Sequence, residues 1–237
     1  MEINKKNDDL DSLLSETIAI FEKYNFQWWF ECGTLLGMLR ESNYLEWEND
    51  IDLGCWNSSL HLLHNSKLIK DFNDAGIRMV LQDCTATFWR GENVYLDINF
   101  YRIDEDFLIM DRWLPNSLIG VLAKLFHRVA SSPTYYDYSW SFKKKSMVIN
   151  LSKFICYFVP PISIIKVLEI ILPKYQYYSP WKVPKIFFEG EFKEKIFRNM
   201  TVFIPPDSEG YLSYRYGKNW RVPNRKWDTE TQDATIV

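Results

Sequence analysis

Apolar residues recur at near-helical spacing between Asp8 and Lys23, where Leu10, Leu13, Leu14, Ile18, Ile20 and Phe21 gather toward one face. That spacing predicts an amphipathic helix with its N-cap at Asn7 or Asp8. The aromatic run Phe26-Gln27-Trp28-Trp29-Phe30 reads as a strand, Gly33-Thr34 as a turn, and Leu35 to Arg40 as the start of a second helix. A further helix is predicted from Ser59 to Ala75, closed by Gly76, followed by short strands over Ile77–Gln82 and Ala86–Trp89. Val94 to Tyr101 alternates cleanly, with Asp97 and Asn99 on one face and Leu96, Ile98 and Phe100 on the other. Strands alternating with helices predict an α/β (α+β) protein, built on a mixed sheet flanked by helices.

Between Leu45 and Leu53 the alternation is sharper. Glu46, Glu48, Asp50 and Asp52 occupy every even position, and Leu45, Trp47, Ile51 and Leu53 most of the odd ones. On a strand, neighbouring carboxylates of one face lie roughly 6.6 Å apart. At an effective dielectric near 20, each adjacent pair costs about 2.5 kcal/mol in repulsion. Two readings follow. Either a hard divalent cation with oxygen ligands, Mg²⁺ or Mn²⁺, sits on this face, or the strand is an acidic edge screened by water and salt. Glu46 and Glu48 are expected to precede the strand proper, which leaves Asp50-x-Asp52 as the pair able to hold metal.

After about residue 112 the pattern changes. Leu114 to Ala130 and Met147 to Leu172 are apolar and helical in character, interrupted by Lys124, Arg128 and the run Lys143-Lys144-Lys145. Residues 114–172 are therefore expected to form a helical insertion within one domain spanning 1–237. They either pack on the sheet as a subdomain or lie on a membrane surface with their basic residues facing anionic lipid. No stretch reaches the roughly 18 apolar residues of a membrane span.

Composition narrows the classes. An apolar fraction of 47% and a charged fraction of 25% are ordinary for a globular chain, while 17% aromatic residues is high and implies a large core or a stacking surface. A net charge of −3 supplies no field for bulk nucleic-acid binding. Cys32, Cys55, Cys84 and Cys156 are too scattered for a zinc site or a disulfide framework, which predicts reduced, buried thiols. The N-terminal segment lacks a secretory layout. The expected location is cytoplasmic, with peripheral contact at the inner face of the membrane.

The chemistry converges on three pieces: the strand–helix turn Glu31-Cys32-Gly33-Thr34-Leu35-Leu36-Gly37, the pair Asp50-x-Asp52, and Asp97 on a later strand. A glycine at such a turn lets backbone N–H groups approach an anion at a helix N-terminus. In this order the three form the layout of the nucleotidyltransferase fold, where metals neutralise a transferring phosphoryl group and align the attacking oxygen. The segment Tyr216 to Pro223 has two readings. Gly217 ends a helix and Trp220 packs in the core, or Lys218, Trp220 and Arg221 line a pocket. His61, His64 and His127 show no ligand spacing and are read as structural or surface residues.

The block Glu31-Cys32-Gly33-Thr34-Leu35-Leu36-Gly37-Met38-Leu39-Arg40, followed by Trp47-Glu48-Asn49-Asp50-Ile51-Asp52-Leu53-Gly54, resembles the signature of the LicD/fukutin family. Val94 to Phe100 is similar to the strand bearing that family's third carboxylate. Tyr216-Gly217-Lys218-Asn219-Trp220-Arg221-Val222-Pro223, with Lys226-Trp227-Asp228, is similar to the end of fukutin-type catalytic domains. The chain departs from the family's pattern at Glu48 and Asn49, where aspartates are common. The resemblance implies a nucleotidyltransferase fold and Mg²⁺- or Mn²⁺-dependent transfer of a phospho-alcohol, such as phosphocholine or ribitol phosphate, from a CDP-linked donor to a glycan hydroxyl. It implies that Asp50, Asp52 and Asp97 bind metal, with Asp97 also orienting or deprotonating the acceptor. It places Gly33 and Thr34 at the phosphates and Arg40 opposite phosphate charge. A nucleotidyltransferase moving a nucleoside monophosphate from a triphosphate, and an inactive membrane-bound scaffold, are the competing functions.

Overall fold

A computed structural model describes residues 2–82, 84–91, 94–131, 154 and 161–236. The chain opens with helix α1 (Glu2–Lys23), strand β1 (Trp28–Phe30), helix α2 (Cys32–Glu41) and strand β2 (Asp50–Trp56). A 3₁₀ helix (Asn57–His64) and α3 (Ser66–Asp74) lead to β3 (Arg78–Gln82), β4 (Thr85–Arg90), β5 (Val94–Asp104), β6 (Phe107–Met110) and β7 (Trp113–Pro115). Helix α4 (Leu118–Ser131) and the helix Pro161–Ile171 precede β8 (Gln176–Tyr178), β9 (Trp181–Pro184) and the hairpin β10 (Lys193–Phe197) and β11 (Met200–Ile204). Helices Ser208–Tyr216 and Thr229–Gln232 close the described chain.

Five strands run in the order β1-β2-β5-β4-β3, and β6 and β9 extend the sheet from the far end of β5. The pairing β2–β5 is parallel, and its neighbours β1–β2 and β4–β5 are antiparallel. The architecture is thus a mixed α+β sheet flanked by helices, as the alternation of elements predicts.

The two faces of this sheet differ in chemistry. Ile51, Leu53 and Cys55 of β2 and Leu96, Ile98 and Phe100 of β5 are buried with Leu10, Leu13, Leu14, Ile18 and Phe21 of α1 in one core. Stacking of Phe21 on Phe26 (4.3 Å) and an edge contact of Phe21 with Phe88 (6.0 Å) fix the helix against the sheet. Period-two alternation sends Asp50, Asp52, Gly54 and Trp56 of β2, and Tyr95, Asp97, Asn99 and Tyr101 of β5, to the opposite face. There Trp29 lies close against Gly54: a Cβ on Gly54 would fall 2.1 Å from the Trp29 Nε1. The hairpin β10–β11 turns through Arg198 and Asn199, both at positive φ, and meets β1 through Trp28–Phe203 and Phe30–Phe197 ring contacts. Such a turn matches the twist of the flanking strands.

Three expectations need correction. Helix α1 begins at Glu2 and runs through the expected N-cap, because Lys6 and Asn7 are engaged by the chain around residues 43–48. The single helix expected over Ser59–Ala75 is broken at Asn65, which takes an extended conformation and accepts a hydrogen bond from the Lys67 N–H as the N-cap of α3. The first strand is confined to Trp28–Phe30. The strand carrying the aspartates begins at Asp50, so Glu46 and Glu48 precede it. Cys32, Cys55 and Cys84 are buried and take part in no disulfide; Cys156 and the run Lys143-Lys144-Lys145 lie outside the described residues. Among the described residues no helix is long and apolar enough to cross a membrane.

Candidate active site

Parallel pairing of β2 with β5 sets Asp52 directly across from Asp97, and Asp50 stands one alternation earlier across from Tyr95. The three aspartates therefore share one face at the N-terminal ends of two adjacent strands. Helix α2 begins just above them, and three hydrogen bonds weld it to β2. The Glu31 N–H donates to the Asp52 carbonyl (3.2 Å), the Gly33 N–H donates to the Asp52 carboxylate (3.2 Å), and the Asp52 N–H donates to the Thr34 hydroxyl oxygen (2.7 Å). Thr34 is 2% exposed. Gly33 and Thr34 thus hold Asp52 in place.

Gly33 also makes room for a fourth carboxylate. Glu48 lies over it so closely that a Cβ at residue 33 would fall 2.1 Å from the Glu48 Oε2. Burial first, and then the neighbouring Asp50 charge, push the Glu48 carboxyl up to about 7. Burial likewise raises Asp50, and raises Asp52 well above its ordinary value, with repulsion from Asp50, Glu48, Glu31 and Asp97 adding to it. Lys6 reaches across from α1 and donates to the carbonyls of Leu45 (3.1 Å), Glu46 (2.9 Å) and Glu48 (2.8 Å), which pins the acidic loop. No sequence pattern marks Lys6 for this task.

Beneath the aspartates is a buried polar network. Glu31, the N-cap residue of α2, accepts from the Asn99 side-chain amide at 2.7 Å and is fully buried. Arg215 donates to the Tyr211 hydroxyl (3.1 Å) and pairs with Asp233 (2.7 Å), with both charged side chains at or below 3% exposure. The Tyr211 hydroxyl also accepts from the Cys32 N–H (3.4 Å), so the first turn of α2 is tied to helix Ser208–Tyr216. Cys32 sits at φ +48° to make this approach.

Beside the acidic group a cleft of about 430 Å³ opens between α2, the loop 45–48 and the C-terminal residues 216–229. Its walls include Arg40, Trp47, Glu48, Tyr216, Trp220 and Trp227. The Arg40 side chain is 7% exposed, donates to the Trp220 carbonyl (3.3 Å) and to Glu41, and lies 5.7 Å over the Trp47 ring. Arg225 approaches the same ring at 5.3 Å and pairs with Glu46 at 2.6 Å. Of the three tail residues flagged from sequence, Trp220 lines the cleft and is buried with the core. Lys218 is exposed, and Arg221 is turned to Glu209 at 2.7 Å while stacking on Trp220 at 4.2 Å. Neither is among the cleft-lining residues. Gly217 does end its helix, at φ +83°.

Whether these residues suit a divalent ion is a question of donor chemistry. Four carboxylates meet on one face, each displaced from its ordinary titration or surrounded by like charge, and oxygen donors of this kind suit Mg²⁺ or Mn²⁺. Among the described residues no group of three or more His, Cys, Asp and Glu is placed to hold a metal ion.

Residues 25–119 match the model of the family described as LicD/FKTN/FKRP, nucleotidyltransferase domain. A 75-residue stretch is 29% identical to an uncharacterized protein of Rickettsia typhi, covering 32% of this chain and 24% of that protein. A 72-residue stretch is 29% identical to an uncharacterized protein of Rickettsia prowazekii, covering 30% and 26%. The matched stretch thus spans about a quarter of the length of these relatives. Among solved structures, the lincomycin-bound lincosamide antibiotic adenylyltransferase LnuA aligns at 12% identity with a TM-score of 0.38, over 85% of this chain and 82% of that one. The antibiotic-resistance factor ANT(2'')-Ia aligns in its solution structure at 14% identity and a TM-score of 0.33, over 69% and 90%. Likenesses this distant decide nothing about the activity of this chain.

Proposed function

We propose that the protein, whose residues 25–119 match the LicD/FKTN/FKRP nucleotidyltransferase domain, transfers a phospho-alcohol from a CDP-linked donor to a hydroxyl group of a glycan or its lipid-linked precursor. The observation that carries this reading is the register of β2 on β5, which lines up Asp52 with Asp97 and puts Asp50 on the same face, while Glu48, which lies over Gly33, lines the aromatic cleft.

In this reading Asp50, Asp52 and Asp97 hold Mg²⁺ or Mn²⁺. The ion, when bound, neutralises phosphate charge that the carboxylates alone would repel. Arg40 and Arg225 supply cationic groups at the cleft, and a guanidinium suits phosphate through paired N–H donors. Trp47 and Trp227 offer flat faces for a nucleobase. Asp97 takes the proton of the acceptor hydroxyl as its oxygen forms the new bond to the distal phosphorus of the donor. The bond between that phosphorus and the bridging diphosphate oxygen breaks, and CMP departs. Glu31, Thr34 and Gly33 keep Asp52 fixed while this happens, so little reorganisation is needed at the reacting centre.

A panel of radiolabelled CTP, ATP, CDP-choline, CDP-ribitol and CDP-glycerol with Mg²⁺ tests the donor class. Release of CMP from a CDP-alcohol, with no pyrophosphate from CTP or ATP, is the expected outcome. Pyrophosphate release from a triphosphate would replace the proposal with nucleotidyl transfer.

A further inference from the structure

The segment from Trp113 to Tyr178 stands apart from the rest of the chain in charge. It holds eight Lys and Arg against two Asp and Glu, a surplus of six positive charges, in a chain whose net charge is −3. The remaining residues therefore carry a surplus of nine negative charges. No structural requirement of the acidic site explains a basic block of this size.

Its described elements form a helical pair on a short ribbon. Ala123 of α4 is buried against Leu168 and Leu172, with Phe126 and Ile164 packed alongside. Ile164, Leu168 and Leu172 follow a four-residue spacing, so they line one stripe of the helix Pro161–Ile171 and its extension. The exposed positions of this helix are Ser163, Lys166, Val167, Glu169 and Ile170, with Ile170 at 70% and Val167 at 55%. Helix α4 repeats this arrangement: Leu118 (74% exposed), Ile119 (52%) and Val121 (38%) are uncovered. At the base of the pair, β7 joins β8 with Trp113 opposite Tyr178 and Leu114 opposite Tyr177. Trp113, Tyr177 and Tyr178 are themselves exposed, and the Trp113 and Tyr178 rings lie 5.0 Å apart. Lys124 reaches back to the Trp113 carbonyl, and Lys166 and Lys174 remain in solvent.

Bare aliphatic side chains on two packed helices and aromatic residues at their base, in a segment whose sequence carries a basic surplus, describe a surface that a protein has reason to cover. A protein partner with apolar complementarity would not call for the surplus of positive charge. Anionic phospholipid calls for all three: acyl chains for Leu118, Ile119, Val167 and Ile170, the headgroup level for Trp113, Tyr177 and Tyr178, and lipid phosphate for the lysines.

We propose that the helical pair between Trp113 and Tyr178 docks the protein on an anionic lipid surface. The pair has a small core of its own, contributes no residue to the cleft and needs no nucleotide or metal to bind, so its docking stands or falls separately from the transfer reaction.

Sedimentation of the full chain with vesicles, without nucleotide or divalent ion, tests this. Vesicles of phosphatidylcholine mixed with phosphatidylglycerol should carry the protein down, and vesicles of phosphatidylcholine alone should not. Raising the salt to molar concentration should release most of it, because the charge term is screened. The double variant Val167→Ser/Ile170→Ser should lower vesicle partitioning by at least about tenfold, given the apolar area it removes. Its melting temperature should equal that of the wild type, because both side chains are exposed. Equal partitioning of variant and wild type, binding indifferent to lipid charge, or concentration-dependent self-association with no vesicle binding would each overturn the proposal.

Discussion

Glu48 changes its charge near neutrality, and the rest of the acidic face responds to it. Burial and the adjacent Asp50 raise its carboxyl from 4.5 to about 7. A carboxyl with a raised folded pKa binds its proton more tightly in the folded than in the unfolded chain. Its contribution to stability is then complete below about 4.5 and is lost as pH climbs through about 7. In metal-free buffer the wild-type melting temperature should accordingly fall across that window, and Glu48→Gln should flatten the fall. Parallel profiles for the two proteins, followed by differential scanning calorimetry, would show that Glu48 is not held as described. Burial raises both Asp50 and Asp52, and like charge adds to it at Asp52. An isolated surface strand would have screened it with water, and here the loop 45–48 and α2 shut much of that water out.

The element that sets the geometry is the junction of α2 with β2. Thr34 accepts the Asp52 N–H at 2.7 Å in a position 2% exposed. Thr34→Val keeps the shape and removes the acceptor, which leaves a buried donor unpaired and should cost about 1–3 kcal/mol. Urea unfolding would read that loss as a lower midpoint with an unchanged slope; a midpoint within error of wild type would show that another acceptor takes over. This junction was partly legible in the sequence, since Gly33-Thr34 after an aromatic strand marks a strand–helix turn and the alternation in Val94–Tyr101 places Asp97 on the polar face. What Thr34 bonds to was not legible, because its partner lies 18 positions later on another strand. The same limit explains α1: local propensity favours a cap at Asn7 or Asp8, yet Lys6 bonds residues about 40 positions away and draws the helix back to Glu2. Asn65 broke the expected helix over Ser59–Ala75 because its side chain caps the next one, a competition that helical spacing alone does not weigh.

At the scale of the whole molecule, the chain closes on itself to make the cleft. Arg40 and Trp220 are 180 positions apart and meet at 3.3 Å, and Arg225 spans nearly the same distance to Glu46. The buried pair of Arg215 with Asp233 fastens the C-terminal segment behind the site. Sequence motifs flagged Trp220 but ranked Lys218 and Arg221 beside it, quoted Trp227 only within the family-like tail and left out Arg225, because which side of a tail faces a cleft is decided by the partner it packs on. The aromatic cleft is thus built where residues 36–48 meet residues 216–229. The central claim is that Asp52, aligned with Asp97, serves transfer chemistry and not folding alone. It is tested most directly by CMP release from the preferred CDP-alcohol in wild type and in Asp52→Asn, with Mg²⁺ and again in EDTA. The account predicts Mg²⁺-dependent release by the wild type, abolished in Asp52→Asn while its circular dichroism spectrum and melting behaviour remain those of a folded protein. Undiminished release by Asp52→Asn, or by the wild type in EDTA, would contradict it.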